Sequence, residues 1–84
     1  MASSIFYKGS ALSELRRLDK PVARRILDTL KHALAPDPSR GIPLHGEFHG
    51  FFKYRIGDYR IIYAKVPDGI LVLRIRHRKD AYRE

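Results

Sequence analysis

Two stretches of this 84-residue chain gather the side chains that can do chemistry. The first holds Leu44, Gly46, Gly50, Arg55, the run Gly57-Asp58-Tyr59-Arg60, and Tyr63. The second is Arg76-His77-Arg78-Lys79-Asp80-Ala81-Tyr82. Brought together, they would set many cations and a tyrosine around one end of a small sheet. Like charges so placed repel, and a folded chain tolerates that cost where an anion sits among them. The expected anion is a phosphate backbone. Arginine offers a planar fork for phosphate oxygens, and lysine a compact charge.

Other chemistries are poorly supplied. The chain has no cysteine, which excludes disulfides, Cys-based zinc sites and thiol catalysis. His45 and His49 are four apart, but Gly46 between them argues against the helix that would aim both at one metal, so no metal and no cofactor is expected. No glycine-rich phosphate loop, Ser-His-Asp order, nucleophile elbow or carboxylate pair can be drawn. Asp19, Asp28, Asp37, Asp58, Asp68 and Asp80 are scattered, and Glu47 alone stands where a proton acceptor beside the cations is wanted. His49 is a second candidate proton carrier, since an ordinary imidazole titrates near ~6.5. His77, at a strand end beside Arg76, is a better one. His32 reads as a solvated residue. Tyr82 is either a packing anchor or a base-stacking residue.

Lys plus Arg number 17 against 9 for Asp plus Glu, a formal charge of +8. That surplus attracts polyanions or an acidic partner. The length fits one domain over residues 1–84, with a small core. Met1-Ala2-Ser3-Ser4 leads straight into Ile5-Phe6-Tyr7 without a signal-type apolar region, and no 18-residue apolar run occurs. The expectation is a cytoplasmic protein with no membrane partner.

The elements that must position these residues can be read from periodicity. Residues 5–7 suit a short strand. Ser10 is a candidate helix cap, followed by an apolar stripe of Leu12, Leu15 and Leu18. Asp19-Lys20-Pro21 ends one helix and starts another, whose inner face is Val22, Ile26, Leu30, Ala33 and Leu34. Pro36, Pro38, Gly41 and Pro43 predict a loop over 36–46. Three strands follow, at about 51–56, 59–66 and 70–77. The order β-α-α-β-β-β predicts an α+β domain, a helical hairpin packed on an antiparallel sheet.

The turns fix a register. Gly57-Asp58 is a two-residue hairpin loop, which sets Ile56 opposite Tyr59 and Arg55 opposite Arg60. Pro67-Asp68-Gly69 predicts a three-residue loop with Gly69 left-handed, which sets Val66 opposite Ile70 and Arg60 opposite Arg76. A two-residue loop there would flip the last strand and bury Arg74 and Arg76. With the three-residue loop, the core face carries Phe52, Tyr54, Ile56, Tyr59, Ile61, Tyr63, Leu71, Leu73 and Ile75. The other face would carry Lys53, Arg55, Arg60, Arg74 and Arg76 at one end, and Ile62, Ala64, Val66, Ile70 and Val72 at the other. Arginine facing arginine destabilises a ladder, so this face reads as a phosphate patch. Its apolar half suits a partner's strand or helix, or a covering loop.

These residues also resemble a known family. The pattern Leu44-x-Gly46, Gly50, Arg55-x-Gly57-Asp58-Tyr59-Arg60-x-x-Tyr63, the segment 76–82 and the helical hairpin over 12–34 are similar to the RelE/ParE toxin superfamily. The likeness covers nearly the whole chain. It implies the toxin of a type II toxin–antitoxin pair, with a cognate antitoxin as partner. RelE-like members cut mRNA in the ribosomal decoding site without a metal. ParE-like members poison DNA gyrase and lack the cleavage residues. The arginine-rich segment followed by Tyr82 is similar to the RelE branch.

By position, Lys53, Arg60, Arg76 and Tyr82 match the family's active-site places. Arg55 departs from it, standing where a second lysine acts as the proposed general base. Arginine stays protonated, so Lys53, His49 or Glu47 would have to serve. The implied roles are charge stabilisation by Arg55 and Arg60, protonation or neutralisation of the leaving oxygen by Arg76 or His77, and stacking on a codon base by Tyr82. Arg74 and Arg78 join the expected RNA contacts. The alternatives are a gyrase poison without catalysis and a silent binding module.

Overall fold

A computed structural model describes residues 3–81, so Tyr82 lies outside the described residues. Along the chain come β1 (Ser4–Tyr7), α1 (Gly9–Arg16), α2 (Lys20–Thr29), β2 (Ile42–Pro43), β3 (Phe51–Ile56), β4 (Tyr59–Val66), β5 (Gly69–His77) and α3 (Arg78–Ala81). The sheet order is β1-β5-β4-β3-β2. This is the α+β architecture that the pattern predicts, with α1 and α2 covering one face. Two strands extend the expected antiparallel ladders. β1 pairs with β5 in parallel, and β2 arises inside the expected loop and pairs with β3. Pro43 is tolerated there because β2 is an edge strand, where the missing N–H costs no ladder bond.

The helices follow the apolar spacing. Pro21 sits in the first turn of α2, as its fixed φ favours. A π-helical turn, Leu30–Leu34, prolongs α2, and the Ala35 N–H donates to the Leu30 carbonyl at 2.8 Å. Ile26, Leu30 and Leu34 are thereby all buried. They meet Ile56, Ile61, Tyr63, Ile70, Val72 and Ile75 from the sheet. Each such apolar side chain contributes about 1.5–3 kcal/mol on burial. Ser10 does not cap α1. The helix begins two residues earlier than such a cap requires, at Gly9, and the Ser10 hydroxyl donates to the Leu73 carbonyl at 2.8 Å.

The first hairpin has the expected register, with Ile56 opposite Tyr59 and Arg55 opposite Arg60. Gly57 has φ of +59° and among the described residues no non-glycine has a positive φ, the pattern of a type II′ turn. The second hairpin differs. Val66 pairs with Gly69, so the loop has two residues, Pro67-Asp68, and Gly69 is not left-handed. Glycine is needed there because a Cβ would run into the Ser4 backbone of β1.

A β-bulge then corrects the register. Tyr63 pairs with Val72, but Ile62 pairs with Arg74 and Arg60 with Arg76. Leu73 is the extra residue. The faces expected for residues 70–73 are therefore inverted. Ile70 and Val72 are fully buried in the core, and the half-buried Leu71 and Leu73 stand on the open face. Beyond the bulge, Ile75 is in the core and Arg74 and Arg76 are on the open face, as expected. Slipping by one residue and slipping back keeps two branched residues inside and two cations outside.

Tyr63 ties the core to the loop before β2. Its ring is fully buried and stacks on Phe52 with centroids 5.6 Å apart. Its hydroxyl donates to the Pro38 carbonyl at 2.6 Å and accepts from the Gly41 N–H at 3.0 Å. Burial pushes its pKa above the ordinary phenol value, with the Gly41 bond opposing, and burial raises Tyr7 as well.

Two outcomes test this fold. Deleting Leu73 removes the unpaired residue, so Val72 should stay opposite Tyr63 and Arg74 opposite Ile62 in an unbroken ladder, with both cations still on the open face. The expected result is a retained cooperative melt followed by circular dichroism, and its loss would refute this register. Tyr63→Phe should lower stability by about 1–3 kcal/mol in urea unfolding, because it strands two backbone groups. Raised phenol pKa values hold their stabilisation below pH ~10 and lose it as pH rises through the folded values. The variant should lose Tyr63's share of that alkaline limb.

Candidate functional site

Strand pairing assembles the cations on the open face. Arg55, Arg60 and Arg76 form one row across β3, β4 and β5. Strands lie about 4.8 Å apart, so the row packs three guanidinium groups onto neighbouring backbones. The next row, Ile42-Lys53-Ile62-Arg74, runs across β2 to β5.

A cleft of about 560 Å³ opens at the end of the sheet nearest the Gly57-Asp58 turn. Its cations are Arg40, Lys53, Arg55, Arg60, Arg78 and Lys79, and Asp58 is the acid among its lining residues. Several are held by local bonds. The Arg55 Nε–H donates to the Gly57 carbonyl at 3.0 Å. Arg78 approaches Asp58 at 3.9 Å, and its backbone N–H donates to the Asp58 carbonyl at 2.8 Å. Arg40 is tethered to Asp37 at 3.5 Å. The Ser39 hydroxyl, bonded to Asp37 at 2.6 Å, is the main reason that this carboxyl sits below its usual range. Tyr63 anchors the same loop from beneath, so a core phenol helps set the position of Arg40.

A second groove of about 370 Å³ adjoins the first and shares Arg60 with it. Leu44, Phe48, Phe51, Ile62 and Leu73 line its apolar side, and Lys8, Arg74 and Arg76 its basic side. Three of the large exposed apolar residues, Phe6, Ile42 and Phe48, belong to this open face by strand pairing or by lining the groove. The apolar half of the face therefore exists, but with Leu71 and Leu73 where Ile70 and Val72 were expected.

The sequence-predicted residues are distributed unevenly. Lys53, Arg55, Arg60 and Arg78 meet in the cleft. Arg76 is beside Arg60 but lines the second groove. Arg74 directs its Nη2 to Glu14 at 2.9 Å. His77 pairs with Tyr59 on the helix side of the sheet, its ring edge-on at 5.2 Å, and its Nδ1 accepts the Lys79 N–H at 3.2 Å. Odd and even positions alternate along β5 past the bulge, so the residue after Arg76 must face the other way. Glu47 and His49 are exposed and line neither groove. Glu14 was missed by sequence reading. Its signal was its place one turn after Ser10, on the side of α1 that meets β5. Among the described residues no group of three potential metal ligands occurs.

The chain is similar to known proteins in sequence and in fold. A family model described as the ParE toxin of the type II toxin–antitoxin system parDE matches residues 5–82. Two toxins of Mycobacterium tuberculosis are similar in sequence. Toxin RelE is 32% identical over 78 residues, covering 88% of this chain and 79% of that protein. Toxin RelG is 30% identical over 87 aligned positions, covering 99% of each. The crystal structure of the toxin–antitoxin complex RelBE2 from the same species superposes with a TM-score of 0.84, at 26% identity and 93% coverage of both chains. The Escherichia coli toxin RelE, bound to an antitoxin peptide, shares the fold with a TM-score of 0.71, at 21% identity, covering 98% of this chain and 92% of that one. A chain with this sheet, this hairpin and this family match belongs to the RelE/ParE superfamily of type II toxin–antitoxin toxins.

Proposed function

We propose that this toxin is a ribosome-dependent endoribonuclease that cuts mRNA in the decoding site. The observation that carries the reading is the cleft whose lining holds six cations and one carboxylate on a row of facing arginines. The substrate supplies its own nucleophile. Its 2′-oxygen attacks the adjacent phosphorus, the P–O2′ bond forms and the P–O5′ bond breaks. The products are a 2′,3′-cyclic phosphate and a 5′-hydroxyl. Arg55 and Arg60 stabilise the charge that grows on the phosphoryl oxygens. The proton of the 2′-hydroxyl needs an acceptor that arginine cannot be. Lys53 takes this role in its neutral form, since it lines the cleft while Glu47 and His49 do not. Arg76, across the ladder from Arg60, neutralises the leaving oxygen, which takes up a proton from water to become the 5′-hydroxyl. His77, on the other face, is left out. Tyr82 stacks on a base, and Arg78 holds a flanking phosphate.

The partner proposed for the resting toxin is a cognate antitoxin with an acidic segment. It would neutralise the cations and cover Phe6, Ile42 and Phe48 on the same face. The similar solved structures that contain antitoxins support this reading. So does the juxtaposition of exposed apolar and basic residues. The proposed location is the cytoplasm, where the messages are.

One observation favours a different activity. The family model that matches is the ParE one, and Arg55 departs from the RelE pattern. That reading is a gyrase poison without nuclease chemistry. The first test is to map mRNA 5′ ends after brief induction of the native toxin and of Arg60→Ala. Codon-phased breaks that vanish in the variant, together with growth arrest, are expected. Intact messages with a DNA damage response would move the assignment to gyrase, and intact messages without arrest would leave a silent binding module. The second test is salt. Engagement of four to six phosphates should make log Ka for an uncleavable RNA fall against log[salt] with a slope of about −3 to −4. A flat dependence would refute the phosphate patch.

A further inference from the structure

β1 pairs with β5 only as far as Tyr7 opposite Val72. Beyond that point the edge of β5 needs other partners, and α1 supplies them. The Ser10 hydroxyl donates to the Leu73 carbonyl at 2.8 Å. One helical turn later, Glu14 Oε1 accepts the Ile75 N–H at 2.8 Å. Residues four apart share a helix face, so both side chains reach the same strand edge.

The Glu14 carboxylate does more than close a sheet edge. Its two oxygens also accept the Arg74 Nε–H at 3.2 and 3.3 Å, and Oε2 accepts from Arg74 Nη2 at 2.9 Å. Arg76 Nε stands 3.9 Å from the same Oε2. The side chains of Glu14 and Arg76 are 19% and 20% exposed, so this ion pair is poorly screened by water. Satisfying the Ile75 N–H alone would take any neutral acceptor. A charged acceptor hydrogen-bonded to one guanidinium and 3.9 Å from a second is a different device. It approaches Arg76 from the edge of β5, whereas Arg60, its cross-strand neighbour, is on β4.

We propose that Glu14 is a positioning residue that acts through Arg76. It orients the Arg76 guanidinium for the phosphate that Arg60 also contacts, and it holds Arg74 alongside. This rests on the ribonuclease reading above, since its consequence is a rate of cleavage.

Glu14→Gln tests it, because glutamine keeps the size and an acceptor for the Ile75 N–H while removing the charge. The melting temperature should stay within about 3 °C of native. Affinity for an uncleavable RNA should hold or rise roughly two- to fivefold, as a negative charge leaves the face. Cleavage at saturating ribosomes should nevertheless fall about 10- to 100-fold, as expected for a misplaced catalytic group. The double variant Glu14→Gln/Arg76→Ala should cleave no more slowly than Arg76→Ala alone, the non-additivity of residues that act as a unit.

Wild-type cleavage by Glu14→Gln, or losses that multiply in the double variant, would overturn the proposal. A native protein that cleaves no message overturns the ribonuclease reading and the positioning role with it. An active native protein with an equally active variant overturns the positioning role alone. Should the variant not fold, nuclear magnetic resonance of the native protein decides. Slow water exchange of the Arg74 and Arg76 Nε–H signals is expected, and exchange as fast as that of the exposed Arg24 would refute the clamp.

Discussion

The site depends on one irregularity, the bulge at Leu73. A sheet strand has two faces and a period of two, so register decides which residues are buried. The tight Pro67-Asp68 turn sets β5 one residue away from the register that would place Arg74 and Arg76 outside. Continued to the end of β5, that register would drive both cations into a core of isoleucines. Inserting one unpaired residue restores the alternation. The first half of β5 then gives Ile70 and Val72 to the core, and the second half gives Arg74 and Arg76 to the open face.

β1 ends at Tyr7, and beyond it α1 collects the backbone groups on the edge of β5. Ser10 takes the Leu73 carbonyl, and Glu14 takes the Ile75 N–H together with the arginines. The helix that buries Ala11 against the core thus carries, on a neighbouring face, the polar groups that finish the sheet edge. Tyr63 does comparable work on the far side of the sheet. Its buried hydroxyl holds residues 38 and 41, and Arg40 lies between them at the rim of the cleft. Both ends of the cationic surface are therefore tied to the core by hydrogen bonds rather than left on mobile side chains.

Concentrating positive charge on a small sheet has a cost in folding, because Arg55, Arg60 and Arg76 stand side by side across three strands. Glu14 and Asp58 offset it at two points on the periphery. A surface so rich in arginine attracts a polyanion or an acidic partner. The exposed phenylalanines beside it make the same face suitable for a folded or folding protein segment. In the proposed function, this one surface serves both the target and the antitoxin that blocks it.

The sequence by itself determined the first strand, the helical hairpin and the three strands that follow it, with the limits of β3 and β4, and the first hairpin. These follow from apolar periodicity and from turn residues that act locally. It also determined that Lys53, Arg55 and Arg60 would share a face, because one two-residue turn and strict alternation suffice. Other features were decided only by tertiary structure. β2 exists because residues 42 and 43 lie against β3, and their own propensities argue for a loop. The face of Ile70 and Val72 depends on a bulge that no local signal announces, since leucine at position 73 is an ordinary strand residue. The role of Glu14 spans some sixty residues of sequence, so it appears only when α1 packs on β5. Local rules reach as far as one turn, whereas burial and long-range hydrogen bonds choose among the registers those rules allow.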